Sequence, residues 1–408
     1  MTAKKAFMNL TNRTLFIADN LEVMRSLDDE CVDLIYLDPP FNTKKQYQAP
    51  IGSRAEGASF KDIWNDEDVN PDWHDDLTEK NPATCAVIHA AKLTHGESMK
   101  AYLIMLGVRL LEMHRILKST GSIYLHCDPT ASHYLKMIMD SIFGKNNFRN
   151  EIIWKRRGAS NNSTNKFGRI HDTILFYTIN KNKAAWNPQY EVHNKDYIKK
   201  SYSSHDAHGQ YRNDPLTQQG TNQGESSQPW HNFNPANTGR VWAAPIRGSN
   251  AKYIEKHFIP NYRQITSVHE RLDALNKAGL ICQPNKGEMP SLKRYLASNH
   301  GRPTQDIITN INFGPKRTER TGYPTQKPVA LLERIIKASS NEGDLVLDPF
   351  CGCATTCIAA EKLNRQWVGI DISESTEKLA KIRFKEEVDT QMPLFKPPVN
   401  INVQRTSL

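Results

Sequence analysis

Residues 32–41, Val-Asp-Leu-Ile-Tyr-Leu-Asp-Pro-Pro-Phe, join a run of apolar residues to an abrupt polar turn. The run from Val32 to Leu37 lacks the alternation of a half-exposed strand, which is typical of a strand buried on both faces of a parallel sheet. Asp38 follows directly where this strand ends. The stretch therefore predicts a buried strand that brings an acidic turn to one edge of a sheet.

Similar units occur near both ends of the chain. Residues 13–18 and 20–27 predict a strand and a helix, and residues 344–347 predict a strand that ends at Asp348. A helix over 355–363 and a strand that ends at Asp371 come next. Helices that alternate with buried strands predict an α/β fold with a doubly wound, mixed and mostly parallel sheet. Ligands of such sheets bind outside the carboxyl ends of the strands.

The chain changes character twice between these units. Residues 44–97 are polar and rich in Gly, Asn, Asp and Pro, which predicts a long loop or lid over the sheet. Residues 180–320 show little helical periodicity outside 268–278. We therefore expect the first part of an α/β domain at 1–179, an inserted module at 180–320, the second part of the α/β domain at 321–388 and an extended tail at 389–408.

The charge of the protein is concentrated in its middle third. The net charge is +9, and residues 151–320 contain 25 Lys and Arg against 13 Asp and Glu, a surplus of +12. The rest of the chain has 28 basic and 31 acidic residues, or −3. A basic segment between near-neutral ends suggests a module that binds a polyanion. A merely soluble basic surface is the alternative.

Seven cysteines without a paired spacing, no signal-peptide pattern and no long apolar run predict a cytoplasmic protein without a disulfide framework. Cys351, Cys353 and Cys357 lie close together, which raises the alternative of a zinc site. Neither a second Cys pair nor a His pair accompanies them, so we expect small buried residues beside a tight turn and no metal.

Asp38, Pro39, Pro40 and Phe41 suit an exocyclic amino group of a nucleic-acid base. The nitrogen of that group is a poor nucleophile because its lone pair is delocalised into the ring. Acceptors for both N–H groups help it, and the Asp38 carboxylate and the Pro39 carbonyl provide two. The prolines stiffen the backbone without adding an N–H, and Phe41 offers a flat face for a base swung out of the double helix. On this motif alone, a simple turn remains the alternative.

A second turn, at residues 348–356, suits a nucleoside cofactor. Gly352 lets the backbone approach a ligand closely, and Asp371 ends the next strand, where an acid binds ribose hydroxyls in nucleotide folds. The chain has neither a GxGxxG nor a GxxxxGK[ST] pattern, which argues against a dinucleotide or a triphosphate.

Together these motifs resemble the β-type, permuted amino-group DNA methyltransferases, in which the catalytic motif precedes the cofactor motif. The resemblance extends over about residues 12–385 and rests on three segments: Asp38-Pro39-Pro40-Phe41-Asn42-Thr43, Gly322-Tyr323-Pro324-Thr325-Gln326-Lys327-Pro328 and Asp348-Pro349-Phe350-Cys351-Gly352-Cys353-Ala354-Thr355-Thr356. It implies the fold of the S-adenosylmethionine-dependent methyltransferases, with an inserted target-recognition module, and methylation of adenine N6 in double-stranded DNA.

The resemblance also implies roles for matched residues. Asp38, Pro39 and Phe41 would bind the target base. The cofactor would contact the remaining matched positions: Phe350, Gly352 and Thr355 beside it, Asp348 as the anchor of the turn, Asp371 on the ribose, Thr325 and Lys327 near the methionine end, and Asp19 near the adenine.

The chain departs from the family pattern at Ala354, where relatives often have a second glycine. Alanine preserves such a turn if its φ is negative, so we expect altered cofactor affinity rather than loss of binding. The DPPF motif, in place of SPPY, favours adenine N6 in this family. An N4-cytosine or structured-RNA methyltransferase and a DNA-binding protein with a degenerate fold are the alternatives.

Basic clusters bracket the middle segment and predict contacts to phosphates. Their members are Lys155, Arg156, Arg157, Lys316, Arg317 and Arg320. Near the end of the chain, Gln391-Met392-Pro393-Leu394-Phe395 resembles the peptide by which replication proteins bind the sliding clamp. A tail that docks on its own domain is the alternative. Homodimers are common among the relatives.

Overall fold

The computed structural model describes residues 10–156, 165, 167–220, 224–282, 288–299, 301–311, 318–391 and 397–405. It divides the chain into two compact units, one of Met1–Gln189 with Gln305–Leu408 and the other of Tyr190–Thr304. The second unit is narrower than the module expected at 180–320, because residues on both sides of it belong to the first unit.

The strands are, in chain order, β1 Thr14–Ile17, β2 Val32–Leu37, β3 Lys45–Gln48, β4 Ser59–Asp62, β5 Leu117–Cys127, β6 Phe148–Lys155, β7 His171–Thr178, β8 Tyr190–Glu191, β9 Ser204–Asp206, β10 Gly209–Pro215, β11 Thr217–Gln219, β12 Arg240–Trp242, β13 Ile281–Cys282, β14 Ser291–Tyr295, β15 Arg302–Pro303, β16 Ile307–Ile308, β17 Leu345–Asp348, β18 Gln366–Asp371 and β19 Asn402–Gln404.

The α-helices are α1 Asn20–Ser26, α2 Pro71–Lys80, α3 Pro82–His95, α4 Glu97–Ile116, α5 Ser132–Met139, α6 Lys195–Ser201, α7 Gly248–His257, α8 Val268–Lys277, α9 Val329–Ser339, α10 Thr355–Lys362 and α11 Ser375–Glu387. Among the described residues, no helix is long and apolar enough to cross a membrane.

The first unit is built on one large sheet with the strand order β16-β6-β7-β5-β2-β17-β18-β1-β19. Within the described strands, β7 runs antiparallel to both of its neighbours, β5 and β6, and the other pairings are parallel. The mixed, mostly parallel sheet predicted from the sequence is confirmed.

The central strand β2 is apolar without alternation because both of its faces are covered. Ile35 and Leu37 belong to a core that includes residues of α1, α4 and α5. Leu34 and Tyr36 belong to a second core that includes residues of α9, α10 and α11. Since successive side chains of a strand point to opposite faces, the two cores lie on opposite faces of a doubly wound sheet.

The expectation of one long loop at 44–97 is wrong. Strands β3 and β4 pair as an antiparallel hairpin, and helices α2 and α3 follow. The prolines and asparagines that suggested a loop mark helix starts, because Pro71 and Pro82 occupy the first turns while Asn70 and Asn81 cap them. Asn is a preferred N-cap residue and Pro is over-represented in the first helical turn, so neither residue distinguishes a loop from a helix start.

The second unit contains a four-stranded antiparallel sheet in the order β13-β14-β10-β9. Its core includes Trp230, Trp242, Leu272, Leu292 and Tyr295. Helix α8 confirms the periodicity noted at 268–278. This unit therefore has a hydrophobic core of its own.

Part of the C-terminal segment docks on the large sheet. Strand β19 pairs in parallel with β1, with Val403 opposite Leu15. Val399, Ile401 and Val403 pack against the second core, which supplies the burial that holds this segment on the sheet. The clamp-like residues Met392–Phe395 lie outside the described residues.

Candidate active site

Four neighbouring strands end at one cavity of about 480 Å³ in the first unit. Asp19 follows β1, Asp38 follows β2, Asp348 ends β17 and Asp371 ends β18. The structure brings every catalytic and cofactor residue predicted from the sequence to the lining of this cavity: Asp19, Asp38, Pro39, Pro40, Phe41, Thr325, Lys327, Asp348, Phe350, Gly352, Thr355 and Asp371.

The two oxygens of the Asp38 carboxylate have different surroundings. Lys327 Nζ donates a hydrogen bond to Oδ2. Oδ1 is buried, has no hydrogen-bond partner within the described residues, and lies 3.9 Å from His126 Nδ1. The carboxylate therefore retains unused acceptor capacity.

The ring of Phe41 rests on a buried polar network. It stacks on His126 with a centroid distance of 5.7 Å. His126 Nδ1 forms a 2.8 Å hydrogen bond with the hydroxyl of Tyr36, and its Nε2 lies 3.3 Å from Asp172. Burial alone would raise the pKa of Asp172, but His126 and Arg156 hold that pKa below its usual value. The sequence analysis did not identify His126 and Asp172, which lie on the paired strands β5 and β7.

Asp62 holds the backbone that follows Phe41. Its Oδ1 accepts the N–H of Asn42 at 2.6 Å, and its Oδ2 accepts the N–H of Thr43 at 3.0 Å and the Thr43 hydroxyl. Asn42 adopts a left-handed φ of 57°. Burial raises the pKa of Asp62. This residue, at the end of β4, carried no sequence signal because its partners lie twenty residues away.

Asp348 anchors the second turn from inside. Its Oδ1 accepts the N–H of Phe350 at 3.1 Å, and its Oδ2 accepts the hydroxyl of Thr356. The residue is almost fully buried, and this burial raises its pKa to about 7. A charged carboxylate at this position is costly in the absence of a compensating cation.

Gly352 and Asp371 fix the turn against the next strand. The N–H of Gly352 donates to Asp371 Oδ2 at 2.7 Å, and the N–H of Ser373 donates to Oδ1 at 2.8 Å. Gly352 has a φ of 51°, and a Cβ at this position would lie 3.1 Å from the ring of Tyr323. Both the conformation and the close approach explain glycine here.

Ala354 does not have the negative φ with which alanine would preserve this turn. Its φ is 60°, in the left-handed region, and it caps the N-terminus of α10. This conformation suits glycine, and an alanine bears strain of about 1 kcal/mol there. The condition on which the tolerance of alanine was based, a negative φ, is therefore not met.

One known protein family matches most of the chain. The N6/N4 methyltransferase family model, described as DNA methylase, matches residues 32–382. The chain belongs to this DNA methylase family. The match runs from β2 to α11 and so includes both turns and both units.

Individual relatives agree with this assignment. The DNA methylase is 30% identical over 385 residues to the type II methyltransferase M.EcaI of Enterobacter cloacae, covering 94% of this chain and 71% of the relative. It is 28% identical over 380 residues to the StyLTI Mod subunit of a type III restriction-modification enzyme of Salmonella typhimurium, covering 88% of this chain and 51% of that subunit.

One solved structure is less similar to this chain in sequence than the two relatives above. It is a protein of Thermus thermophilus, described as a DNA modification methylase and solved with S-adenosyl-L-methionine. The identity is 15% and the TM-score 0.44, with coverage of 97% of this chain and 99% of the other.

The DNA methylase family uses S-adenosylmethionine, and the cavity suits that molecule. Its size lies in the usual range for small-molecule sites. Asp371 and Asp19 line it with carboxylates, a group that can accept hydrogen bonds from hydroxyl and amino groups, while Phe350 and Ile372 add apolar surface.

Asp19 is held in place by contacts within the DNA methylase. Its carboxylate caps α1 through the N–H of Leu21 at 2.7 Å and pairs with Arg109 at 2.8 Å. Arg109 is buried and also donates to Asn20 Oδ1 at 2.6 Å. The Asn20 amide in turn donates to the Pro349 carbonyl at 2.6 Å, which connects α1 to the turn after β17.

The hairpin of β3 and β4 supplies an aromatic wall. Tyr47, Phe60 and Trp64 line the cavity. Phe60 stacks on Tyr47 at 5.0 Å and on Tyr323 at 6.2 Å between centroids. This part of the loop predicted as a lid therefore borders the site of the DNA methylase.

The structure describes half of the predicted phosphate-binding residues, and they belong to the first unit. Lys155 is exposed at the end of β6, and Arg320 is also exposed. Arg156 lies 3.3 Å from Asp172. Arg157, Lys316 and Arg317 lie outside the described residues. In the described part of the chain, no group of three His, Cys, Asp or Glu residues is arranged to hold a metal ion, and Cys351, Cys353 and Cys357 are buried free thiols.

Proposed function

We propose that this DNA methylase transfers a methyl group from S-adenosylmethionine to N6 of an adenine swung out of double-stranded DNA. The observation that carries the proposal is the single cavity in which Asp38 and Phe41 meet the turn formed by Phe350 and Gly352. Methyl transfer requires the base and the methyl donor to occupy one space, and this cavity joins the two predicted binding sites.

The residues of the chain can activate the amino group by accepting its hydrogens. Asp38 accepts one N–H and the Pro39 carbonyl accepts the other, which directs the nitrogen lone pair away from the ring. Phe41, supported by His126, stacks on the base and fixes its plane. S-adenosylmethionine, when bound, supplies an electrophilic sulfonium methyl group. The aromatic wall of Tyr47, Phe60 and Trp64 limits the access of water.

The assignment to adenine rests on the DPPF motif, which favours N6 in the family that the sequence resembles. N4 of cytosine is an amino group with the same chemistry, so the acceptors described here would serve it equally well. The identity of the modified base is therefore an outcome of the experiment below.

We propose a role in restriction-modification, with the second unit as the reader of the DNA sequence. Relatives named as type II methyltransferases and type III Mod subunits support the first part. The charge of Tyr190–Thr304, 15 Lys and Arg against 9 Asp and Glu, supports the second. Lys and Arg bind phosphates and Arg, Asn and Gln read base edges.

Two further partners remain predictions from the sequence. A homodimer is tested by sedimentation of the purified protein. Binding of a sliding clamp by residues 391–395 is tested with the clamp and the variants Leu394→Ala and Phe395→Ala. Unchanged clamp affinity in both variants would contradict that prediction.

The decisive experiment compares cells that express the wild-type protein with cells that express Asp38→Ala. Sequencing that detects modified bases should find N6-methyladenine at one sequence motif in the first sample and none in the second. N4-methylcytosine would correct the base while leaving the mechanism intact. If no modified base is found and the purified protein also fails to label DNA from tritiated cofactor, the proposal is wrong and a DNA-binding role is favoured.

A further inference from the structure

The side chain of Lys327 contacts the catalytic turn directly. The resemblance implies a position near the methionine end of the cofactor, and in the structure Nζ donates a hydrogen bond to Asp38 Oδ2. It also lies 3.4 Å from the Thr325 carbonyl and 5.4 Å from the ring centroid of Phe41. The ammonium group therefore contacts two of the three residues that the proposed function assigns to the target base, Asp38 and Phe41.

Neither partner of this ion pair is well solvated. The side chain of Lys327 is 8% exposed and that of Asp38 is 17% exposed. Removing one member of such a pair leaves an uncompensated charge in a poorly hydrated site. The protein would then lower the cost by neutralising the group that remains.

The other groups around Asp38 do not replace this cation. Burial raises the pKa of five neighbours, and the Asp38 carboxylate adds a smaller contribution to each: Tyr36, Tyr102, Cys127, Tyr323 and Asp348, which come from four elements around the cavity and from the segment before α9. His126 contacts the carboxylate at 3.9 Å, but it already bonds to Tyr36 and Asp172. Of the cavity's other cations, Arg109 pairs with Asp19 and Lys61 with Asp68.

We propose that Lys327 is a positioning residue that keeps Asp38 ionised and oriented as an acceptor for the target amino group, rather than a ligand of the cofactor. The role of Lys327 in the reaction rests on the proposed function, whereas its effect on Asp38 can be measured independently of that function. A protonated Asp38 would present an O–H donor toward an amino group that needs acceptors. The contacts of Nζ to the Thr325 carbonyl and the Phe41 ring would keep the ammonium in the site when the amino group of the base also bonds to the Asp38 carboxylate.

The test measures the titration of Asp38 directly, independent of activity. Carbon-13 NMR of the full-length protein labelled at aspartate carboxyls, with Asp38→Asn to assign the resonance, gives the titration midpoint. In Lys327→Met the midpoint should rise by about 1–3 pH units, the usual effect of losing a cation at this distance. Lys327→Arg should restore it. Lys327→Gln, a neutral variant that keeps a donor, provides a second measurement if the methionine variant fails to fold.

Cofactor affinity and turnover complete the test. Calorimetry should give a dissociation constant for S-adenosylmethionine in Lys327→Met within about threefold of wild type. The rate of single-turnover methylation should begin to fall at a higher pH in Lys327→Met than in wild type as the solution is made more acidic. Lys337→Met, which removes an exposed lysine on α9, is the matched control. An unmoved Asp38 midpoint with cofactor binding weakened more than tenfold would overturn the proposal. A wild-type protein that methylates no DNA would instead overturn the proposed function, and the titration would still decide the role of Lys327.

Discussion

The carboxylate of Asp62 accepts the backbone N–H of Asn42 at 2.6 Å, immediately after Phe41 in the catalytic turn. With its bonds to Thr43, this one side chain satisfies two consecutive backbone donors of the turn. Asn42 has a left-handed φ, so the turn needs such support to keep this conformation. The hairpin is thereby joined to the residues proposed to bind the base.

We predict that Asp62→Ala lowers the methylation rate far more than it lowers cofactor affinity. The change leaves the buried N–H of Asn42 and the partly buried N–H of Thr43 without their acceptor, at about 1–3 kcal/mol for the buried one, and frees the turn to move. The rate constant should fall by about tenfold to a hundredfold with the dissociation constant for S-adenosylmethionine within about threefold. Single-turnover kinetics and calorimetry measure the two quantities.

The control for this prediction is Asp68→Ala. Asp68 pairs with Lys61 on the same hairpin but makes no hydrogen bond to the catalytic turn. It should leave both quantities nearly unchanged. Equal losses in the two variants would show that hairpin stability, rather than the turn, limits the reaction.

A second prediction concerns the pH dependence of stability through Asp348. Burial raises its pKa to about 7 in the folded protein, against about 3.9 in an unfolded chain. The unfolded state therefore loses this proton first, and the folded state becomes less stable as pH rises from about 4 to 7. The penalty is complete above pH 7 and amounts to a few kcal/mol at most.

Asp348→Asn removes this penalty while keeping an acceptor for the Phe350 N–H. We expect the free energy of unfolding in urea to increase at pH 8.5 by more than at pH 5. Asp75→Asn, at an exposed position of α2, serves as the control and should change little at either pH. A larger gain at pH 5 than at pH 8.5 would contradict the sign of the effect.

The sequence predicted the catalytic and cofactor turns because their signals are local. A strand buried on both faces is continuously apolar, so its end and the polar residue that follows are visible without any knowledge of the fold. The partners of those turns had no such signal. Asp62 and His126 act through contacts to residues twenty and ninety positions away, and an aspartate or histidine at the end of a strand looks the same with or without them.

The errors have equally physical causes. Residues 71–95 were mistaken for loop because proline and asparagine favour both turns and helix N-termini. The φ angle of Ala354 follows from the geometry of the turn, which the amino-acid sequence of the motif does not specify. The return of residues 402–404 to the sheet depends on an open edge at β1, a property of the whole fold.

A third prediction follows from the strained conformation of Ala354. Ala354→Gly relieves about 1 kcal/mol of left-handed strain, but it removes a buried methyl group of similar value. The free energy of unfolding should therefore change by less than about 1 kcal/mol. Ala354→Val should lose about 2 kcal/mol or more, since a β-branched residue fits poorly at positive φ. Urea unfolding of the two variants checks both values, and a tolerated valine would show that the turn can change its conformation.

The last prediction is that Lys155 contacts a phosphate of the DNA. This exposed residue is the last of β6. The guanidinium of the next residue, Arg156, forms an ion pair with Asp172. If Lys155 binds one phosphate, Lys155→Ala should lower the slope of log affinity against log salt concentration by about 0.9. Fluorescence anisotropy with a duplex at several salt concentrations measures the slope, with Lys337→Ala as a control of equal charge change. The loss should be similar for specific and unrelated duplexes, because phosphates carry no sequence information. An unchanged slope would place the DNA away from the end of β6, whereas a loss restricted to one sequence would make Lys155 a reader of bases.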